Sequence, residues 1–134
     1  KWLAALKLWL KDELAKYPKL ALLGDYNIAP EDRDCHDPIA WQGNVLVSEP
    51  ERDAFKGLVG LGLRDSFRLF DQAEKSYTWW DYRTAGFQRG WGMRIDHFLV
   101  TSPVLARVRS LTVDMESRAI EKASDHAPLI LDLD

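Results

Sequence analysis

A chain of 134 residues is long enough for one small domain with a real core and too short for two. Its composition, 46% hydrophobic and 29% charged, excludes a disordered chain, and no apolar run approaches the about 18 residues of a bilayer span. A formal net charge of -3 argues against a broadly basic, nonspecific nucleic-acid surface, yet leaves room for an acidic, metal-holding pocket flanked by local arginines.

Residues 2–17 carry Leu3, Leu6, Leu10, Leu14 and Tyr17 at three- and four-residue spacing, which predicts an amphipathic helix stopped by Pro18. A signal peptide is not expected there, because Lys7, Lys11, Asp12 and Glu13 interrupt the apolar run and no small-residue cleavage site follows. No Ser, Thr, Asp or Asn precedes Trp2, so this helix either frays at its start or continues a longer chain. Leu20-Ala21-Leu22-Leu23 is too short for a helix and ends at Gly24, which predicts a buried strand. Residues 28–48, with Pro30, Pro38, Gly43 and several acids, read as a long surface loop holding one helical turn.

Ser48 or Glu49 near a cap, Pro50 in the first turn, and Phe55, Leu58 and Val59 on one face predict a helix ended by Gly60 and Gly62. "DSFRLF" reads as a short helix, "SYTWWDYR" as an aromatic strand, and "AGFQRGWGM" as a glycine-bearing turn. "RIDHFLVT" is a further strand, and Ser102-Pro103 begins a brief helix or turn. "RVRSLTVDM" and "APLILDLD" complete the strands. No repeat, linker or low-complexity tract divides the chain, so the expectation is one mixed α/β unit in which strands dominate.

Chemistry-bearing residues gather at three strand ends. Side chains at i and i+2 of a strand share a face, so Asp25 and Asn27 of "GDYN" emerge together. The competing reading is a turn, which Gly, Asp and Asn all favour. Asp96 sits in an otherwise apolar strand, where a carboxylate is costly without a partner. Asp125 and His126 stand just ahead of the last strand, where a carboxylate can fix a histidine tautomer and favour its charged form. Singly, each is more readily a satisfied structural group than a functional one; together they supply acids, an amide and a histidine. Three histidines and one cysteine show no zinc spacing, whereas oxygen-rich acidic sites suit magnesium or manganese. Cys35 beside His36 lacks a third member for a nucleophilic constellation. A single cysteine also rules out an internal disulfide and fits a reducing, cytoplasmic setting.

"LLGDYNIAP", "YTWWDYR", "GWGMRIDHFLVT" and "SDHAPLIL" resemble, in order, the successive motifs of the exonuclease III and abasic-site endonuclease group within the endonuclease/exonuclease/phosphatase superfamily. The GDxN and SDH motifs are shared with sphingomyelinases, inositol polyphosphate phosphatases and deoxyribonuclease I; the aromatic strand followed by "RID" points to the DNA-repair nucleases. The resemblance implies a magnesium- or manganese-dependent phosphodiesterase acting on double-stranded and abasic DNA. It makes Asp25 the acid that orients and deprotonates the attacking water, and Asn27 the amide that helps place it. It makes His126 a hydrogen-bond donor to a phosphate oxygen, with Asp96 behind it. Asp125 becomes a metal-site acid, and Asp25, Asn27 and His126 join it as possible metal-site groups. Trp79 and Trp91 become candidates to line a pocket for an extruded abasic sugar or to pack on displaced DNA, with core packing the alternative. Arg83 and Arg94 become candidate phosphate contacts, with an ion-pair role as the alternative.

The resemblance covers the C-terminal half of such an enzyme. Family members carry an asparagine, a glutamate that is the main magnesium ligand, and a phosphate-contacting tyrosine on upstream strands. The expected fold is therefore half of a two-sheet α/β sandwich flanked by helices. Its exposed sheet face invites pairing with an N-terminal half or self-association. Two functions remain open: a nuclease chain inactive alone, or a non-catalytic or degenerate association fragment of the same fold. A phosphatase- or sphingomyelinase-like substrate is the remaining alternative.

Overall fold

Helix α1 (Trp2–Lys16) forms where the leucine spacing places it, and the Tyr17 N–H closes its end on the Glu13 carbonyl just ahead of Pro18. Strand β1 (Ala21–Asp25) follows, then a loop with a 3-10 turn at Asp32–Asp34 and the one-turn helix α2 (Pro38–Trp41). Helix α3 (Glu49–Val59) begins at Ser48, whose N–H donates to Glu51 Oε2 at 3.2 Å, with Pro50 pre-set in the first turn. β2 (Leu63–Asp65) runs into a 3-10 turn at Ser66–Leu69. Next come β3 (Trp79–Trp80), a 3-10 turn at Tyr82–Thr84, α4 (Gly86–Arg89) and β4 (Gly92–Met93). The chain ends with β5 (Asp96–Thr101), α5 (Ser102–Leu105), β6 (Val108–Val113), α6 (Met115–Ala119) and β7 (Leu129–Leu133). The computed structural model describes all residues, 1–134.

The result is a mixed α/β arrangement with three small antiparallel sheets. β5 is the centre of the first, in the order β1-β5-β2; β3 pairs with β4, and β6 with β7. The β1–β5 register sets Asp25 opposite Asp96 and Leu23 opposite Phe98. One face of this sheet, with Leu63 and Leu99, packs under Leu10 of α1 and Phe55 and Leu58 of α3. Each fully buried leucine there contributes about 2 kcal/mol of transfer free energy, which holds β5 in place and so fixes Asp96 at its start. A second cluster joins Ala29, Cys35, Val47, Met93 and Ile95, and a third joins Tyr77, Trp80 and Ala127.

Several elements differ from the sequence expectation. β1 is a strand but not a buried one: Leu23 is 59% exposed, because β1 is an edge strand and the helices cover only the opposite face. The "SYTWWDYR" segment is extended over only two strand residues before Asp81 accepts the Arg83 N–H and turns the chain. "AGFQRG" holds a full helical turn rather than a plain loop. β2 and α6 have no clear sequence signal, being three and five residues long.

Candidate active site

Three segments converge at one end of the first sheet. β1 delivers Asp25, β5 delivers Asp96 beside it, and the turn before β7 delivers His126. His126 Nδ1 donates to Asp96 Oδ2 at 2.9 Å, and His126 Nε2 lies 3.7 Å from Asp25 Oδ2. The histidine therefore has one nitrogen occupied by Asp96 and the other turned toward Asp25 and solvent. The hydrogen bond to Asp96 is the main reason the His126 pKa rises above its ordinary value, against the opposing effect of burial. Burial, together with the neighbouring Asp96 charge, raises the Asp25 carboxyl, although the Asn27 N–H pulls it the other way.

Asn27 reaches the site by a route other than strand alternation. β1 ends at Asp25, and Asn27 lies past it in the left-handed region at φ 54°, its N–H donating to Asp25 Oδ1 at 2.8 Å. This is an Asx-type turn, so the turn reading of "GDYN" describes the backbone here. The turn presses a backbone donor on Asp25 and leaves the Asn27 side chain exposed. Asp125 is also beside the cluster, with Trp79 Nε1 donating to its Oδ2 at 3.1 Å.

One organising residue has no functional signal in the sequence. Thr78 is fully buried, and its Oγ1 accepts the N–H groups of both Ile95 and Asp96, at 3.0 and 3.2 Å. Its backbone carbonyl accepts the Ala127 N–H at 2.8 Å. One threonine thus ties the start of β5 to the residue after His126. Only tertiary contact reveals it, since a threonine in an aromatic strand is ordinary.

The other candidates are placed as follows. Trp79 is half-buried at the cluster through its bond to Asp125. Trp91 is 40% exposed, stacked on His36 at 6.0 Å between centroids and under the Arg89 guanidinium at 4.5 Å. Arg83 is exposed and clasps Asp81. Arg94 is corrected from its sequence reading: it is 1% exposed, and its guanidinium is consumed by Asp34 at 2.7 Å and Asp65 at 2.8 Å. Burying a charge demands such partners, so Arg94 is a structural ion pair and not a surface phosphate contact.

Ligand atoms of Asp25, Asp96 and His126 all lie within 4.8 Å of one another, a grouping that could hold a metal ion. The donors are carboxylate oxygens with one imidazole, and the two facing carboxylates raise the cost of ionising Asp25, which a cation would relieve. In donor chemistry the residues fit a hard divalent cation.

The profile of the endonuclease/exonuclease/phosphatase family matches residues 1–126. The chain belongs to that family. It is 36% identical over 136 residues to exodeoxyribonuclease III of Haemophilus influenzae, covering 96% of this chain and 51% of that protein. Among solved structures, a 3'-5' exonuclease from Neisseria meningitidis superimposes with a TM-score of 0.96 at 47% identity, covering 99% of this chain and 52% of the other. An AP endonuclease from Archaeoglobus fulgidus superimposes with a TM-score of 0.90 at 35% identity, again over 99% of this chain and 52% of that one. The chain thus spans about half the length of these family members.

Proposed function

We propose that this chain supplies the C-terminal half of a metal-dependent DNA-repair phosphodiesterase of the exodeoxyribonuclease and abasic-site endonuclease type. The observation that carries the reading is the convergence of Asp25, Asp96 and His126 at one strand end. Hydrolysis of a phosphodiester needs a water made nucleophilic and charge relieved on the phosphoryl oxygens. Asp25, with its raised pKa, accepts the water's proton more readily than an ordinary carboxylate would. The exposed Asn27 carboxamide, set by the turn, can accept from that water and donate to phosphate. His126 holds its proton over a wider pH range because of Asp96, and its Nε2 is the atom left to donate to a phosphate oxygen. Water oxygen bonds to phosphorus, the phosphorus–oxygen bond to the leaving strand breaks, and the alkoxide takes up a proton from solvent or an acid in the site.

Magnesium or manganese is the proposed ion; Asp25, a member of the acid–histidine group, would hold it together with Asp125, Asn27 or His126, and when bound it would supply charge neutralisation at the phosphoryl group. Double-stranded DNA, abasic DNA included, is the proposed substrate, and Trp79, Trp91 and Arg83 are the side chains offered to it. Relatives named for 3'-5' exonuclease and 3'-phosphatase activity favour work at DNA 3' ends. A reducing, cytoplasmic setting goes with this reading.

The fold is then one half of a two-sheet sandwich, and the chain alone is inactive because the upstream half supplies further metal and phosphate ligands. The test is cleavage of duplexes carrying an abasic-site analogue or a recessed 3' end, with and without magnesium. The chain is assayed alone and after addition of an N-terminal half from a relative. Activity only in the mixture, lost in Asp25→Ala, is the expected result. Turnover by the pure chain, or none once association is shown by sedimentation, overturns it; the second outcome favours a non-catalytic fragment.

A further inference from the structure

Away from the acid–histidine cluster, a cleft of about 480 Å³ opens between α3, β2, the 3-10 turn after β2, and α5. It shares no lining residue with the candidate active site. Its volume is in the range that holds small organic ligands. One wall is apolar, formed by Phe55 and Val59 of α3 and Leu105 of α5. Around it stand five basic side chains, those of Arg33, Lys56, Arg64, Arg68 and Arg94.

Charge pairing separates those five. Arg33 is engaged by Glu31, Arg68 by Asp34, and Arg94 by Asp34 and Asp65. Lys56 and Arg64 have no carboxylate within ion-pair distance, and both are exposed at the rim. The floor is rigid, because Arg94 is buried and fastened to acids from two different elements. Arg68 adds a buried Nε–H without an acceptor beside the same floor. Unpaired Lys and Arg side chains are common in this chain, and what distinguishes Lys56 and Arg64 is that they border one cleft beside the same apolar wall.

We propose that this cleft binds a small phosphate monoester with an apolar or planar body. A monoester carries close to two negative charges near neutral pH, which matches two unpaired cations better than a carboxylate's single charge does. The Arg64 guanidinium offers paired donors in the geometry that phosphate oxygens accept, and Lys56 adds a point charge. The ester's organic body lies along Phe55, Val59 and Leu105. Ligand binding here is independent of nuclease chemistry, since the residues of the two sites are disjoint.

Phenyl phosphate is the probe, with inorganic phosphate and phenol as charge-only and body-only controls. Amide chemical shifts of the full 134-residue chain are followed during titration. Phenyl phosphate is expected to shift Lys56, Val59, Arg64 and Leu105 saturably, and each control to bind at least about tenfold more weakly. Arg64→Gln and Lys56→Gln, both exposed and fold-neutral, are each expected to weaken phenyl phosphate at least about fivefold. His126→Ala is expected to leave the cleft shifts intact. No saturable shift in the cleft, equal binding of inorganic phosphate, or unchanged affinity in both glutamine variants overturns the proposal. Shifts that vanish in His126→Ala would also overturn it, by placing the anion at the other site.

Discussion

His97 shows how a single buried side chain makes stability depend on pH. Its ring is 1% exposed; Nε2–H donates to the Ile28 carbonyl at 2.8 Å and Nδ1 accepts from Arg94 at 3.2 Å. Both nitrogens are used by the neutral tautomer, and a proton on Nδ1 would face a guanidinium. Burial first, and Arg94 second, push its pKa down to about 4. Between the ordinary value of 6.5 and about 4, the unfolded chain binds a proton that the folded chain refuses. Stability therefore falls as pH drops through that window, by up to about 3 kcal/mol, and changes no further on this account below it. Asp34 acts lower: burial opposes its ionisation, but Arg94, Arg68 and the Glu31 N–H together outweigh burial, and its carboxyl stays below the ordinary 3.8. Urea midpoints at pH 7 and pH 4.5 separate the two. His97→Gln keeps a donor and an acceptor but cannot titrate, so its midpoint is expected to fall much less than that of the unaltered chain. Equal falls would show that other groups carry the acid sensitivity.

Among the elements, the β3–β4 pair depends on one glycine. A Cβ on Gly92 would stand 2.5 Å from Trp80 Nε1 and 2.7 Å from Tyr77 Cδ2, so the strands close only because that atom is missing. Gly92→Ala is expected to cost about 1–3 kcal/mol and to disturb the Trp80 packing. The control is Gly57→Ala inside α3, where the nearest obstacle is the flexible Lys7 Nζ at 3.2 Å. Helix propensity makes that change neutral or stabilising by up to about 1 kcal/mol. Thermal midpoints and tryptophan fluorescence of the two variants decide the matter; similar stability in both would refute the clash. The same pair shows where sequence reading stops. α1 and α3 are legible because periodicity over three or more turns outweighs local ambiguity. β3 and β4 are two residues each, and bonds from distant chain fix them, such as Trp80 N–H to the Asp125 carbonyl at 3.0 Å. The sequence sets the motif acids and His126 at strand ends and leaves Arg94 between a phosphate contact and an ion pair, whereas the clamp at Thr78 has no signal in it. Both depend on partners outside the local segment: Asp34 is 60 residues from Arg94, and Asp96 is 18 from Thr78.

At the scale of the whole molecule, one face of the first sheet packs under helices, and the other is covered at Val100 but open at Leu23. Only 27 of 134 residues are buried, a thin core for this length. Leu23 on β1 is 59% exposed, and Leu133 of β7, in the neighbouring β6–β7 sheet, is 44% exposed. A groove of about 200 Å³ runs beside Asp96 between Leu23, Phe98 and Leu129, so apolar surface borders the acid–histidine cluster directly. Such a surface lowers its free energy by leaving water, at about 25 cal/mol per Å² covered. If the chain is one half of a sandwich, as proposed, the pure chain should associate with itself as concentration rises. A supplied N-terminal half should then suppress that association by covering the same face. Leu23→Lys combined with Leu133→Lys places charge on exposed positions that bear little of the core, on the Leu129 side of β7, and should shift the chain toward monomer without lowering its helix content. Sedimentation across a wide concentration range, with circular dichroism for the fold, measures both effects. A wild-type chain that stays monomeric throughout, or a double variant that associates equally well, would mean that Leu23 and Leu133 do not mark the covered face and that the half-sandwich reading needs another joining surface.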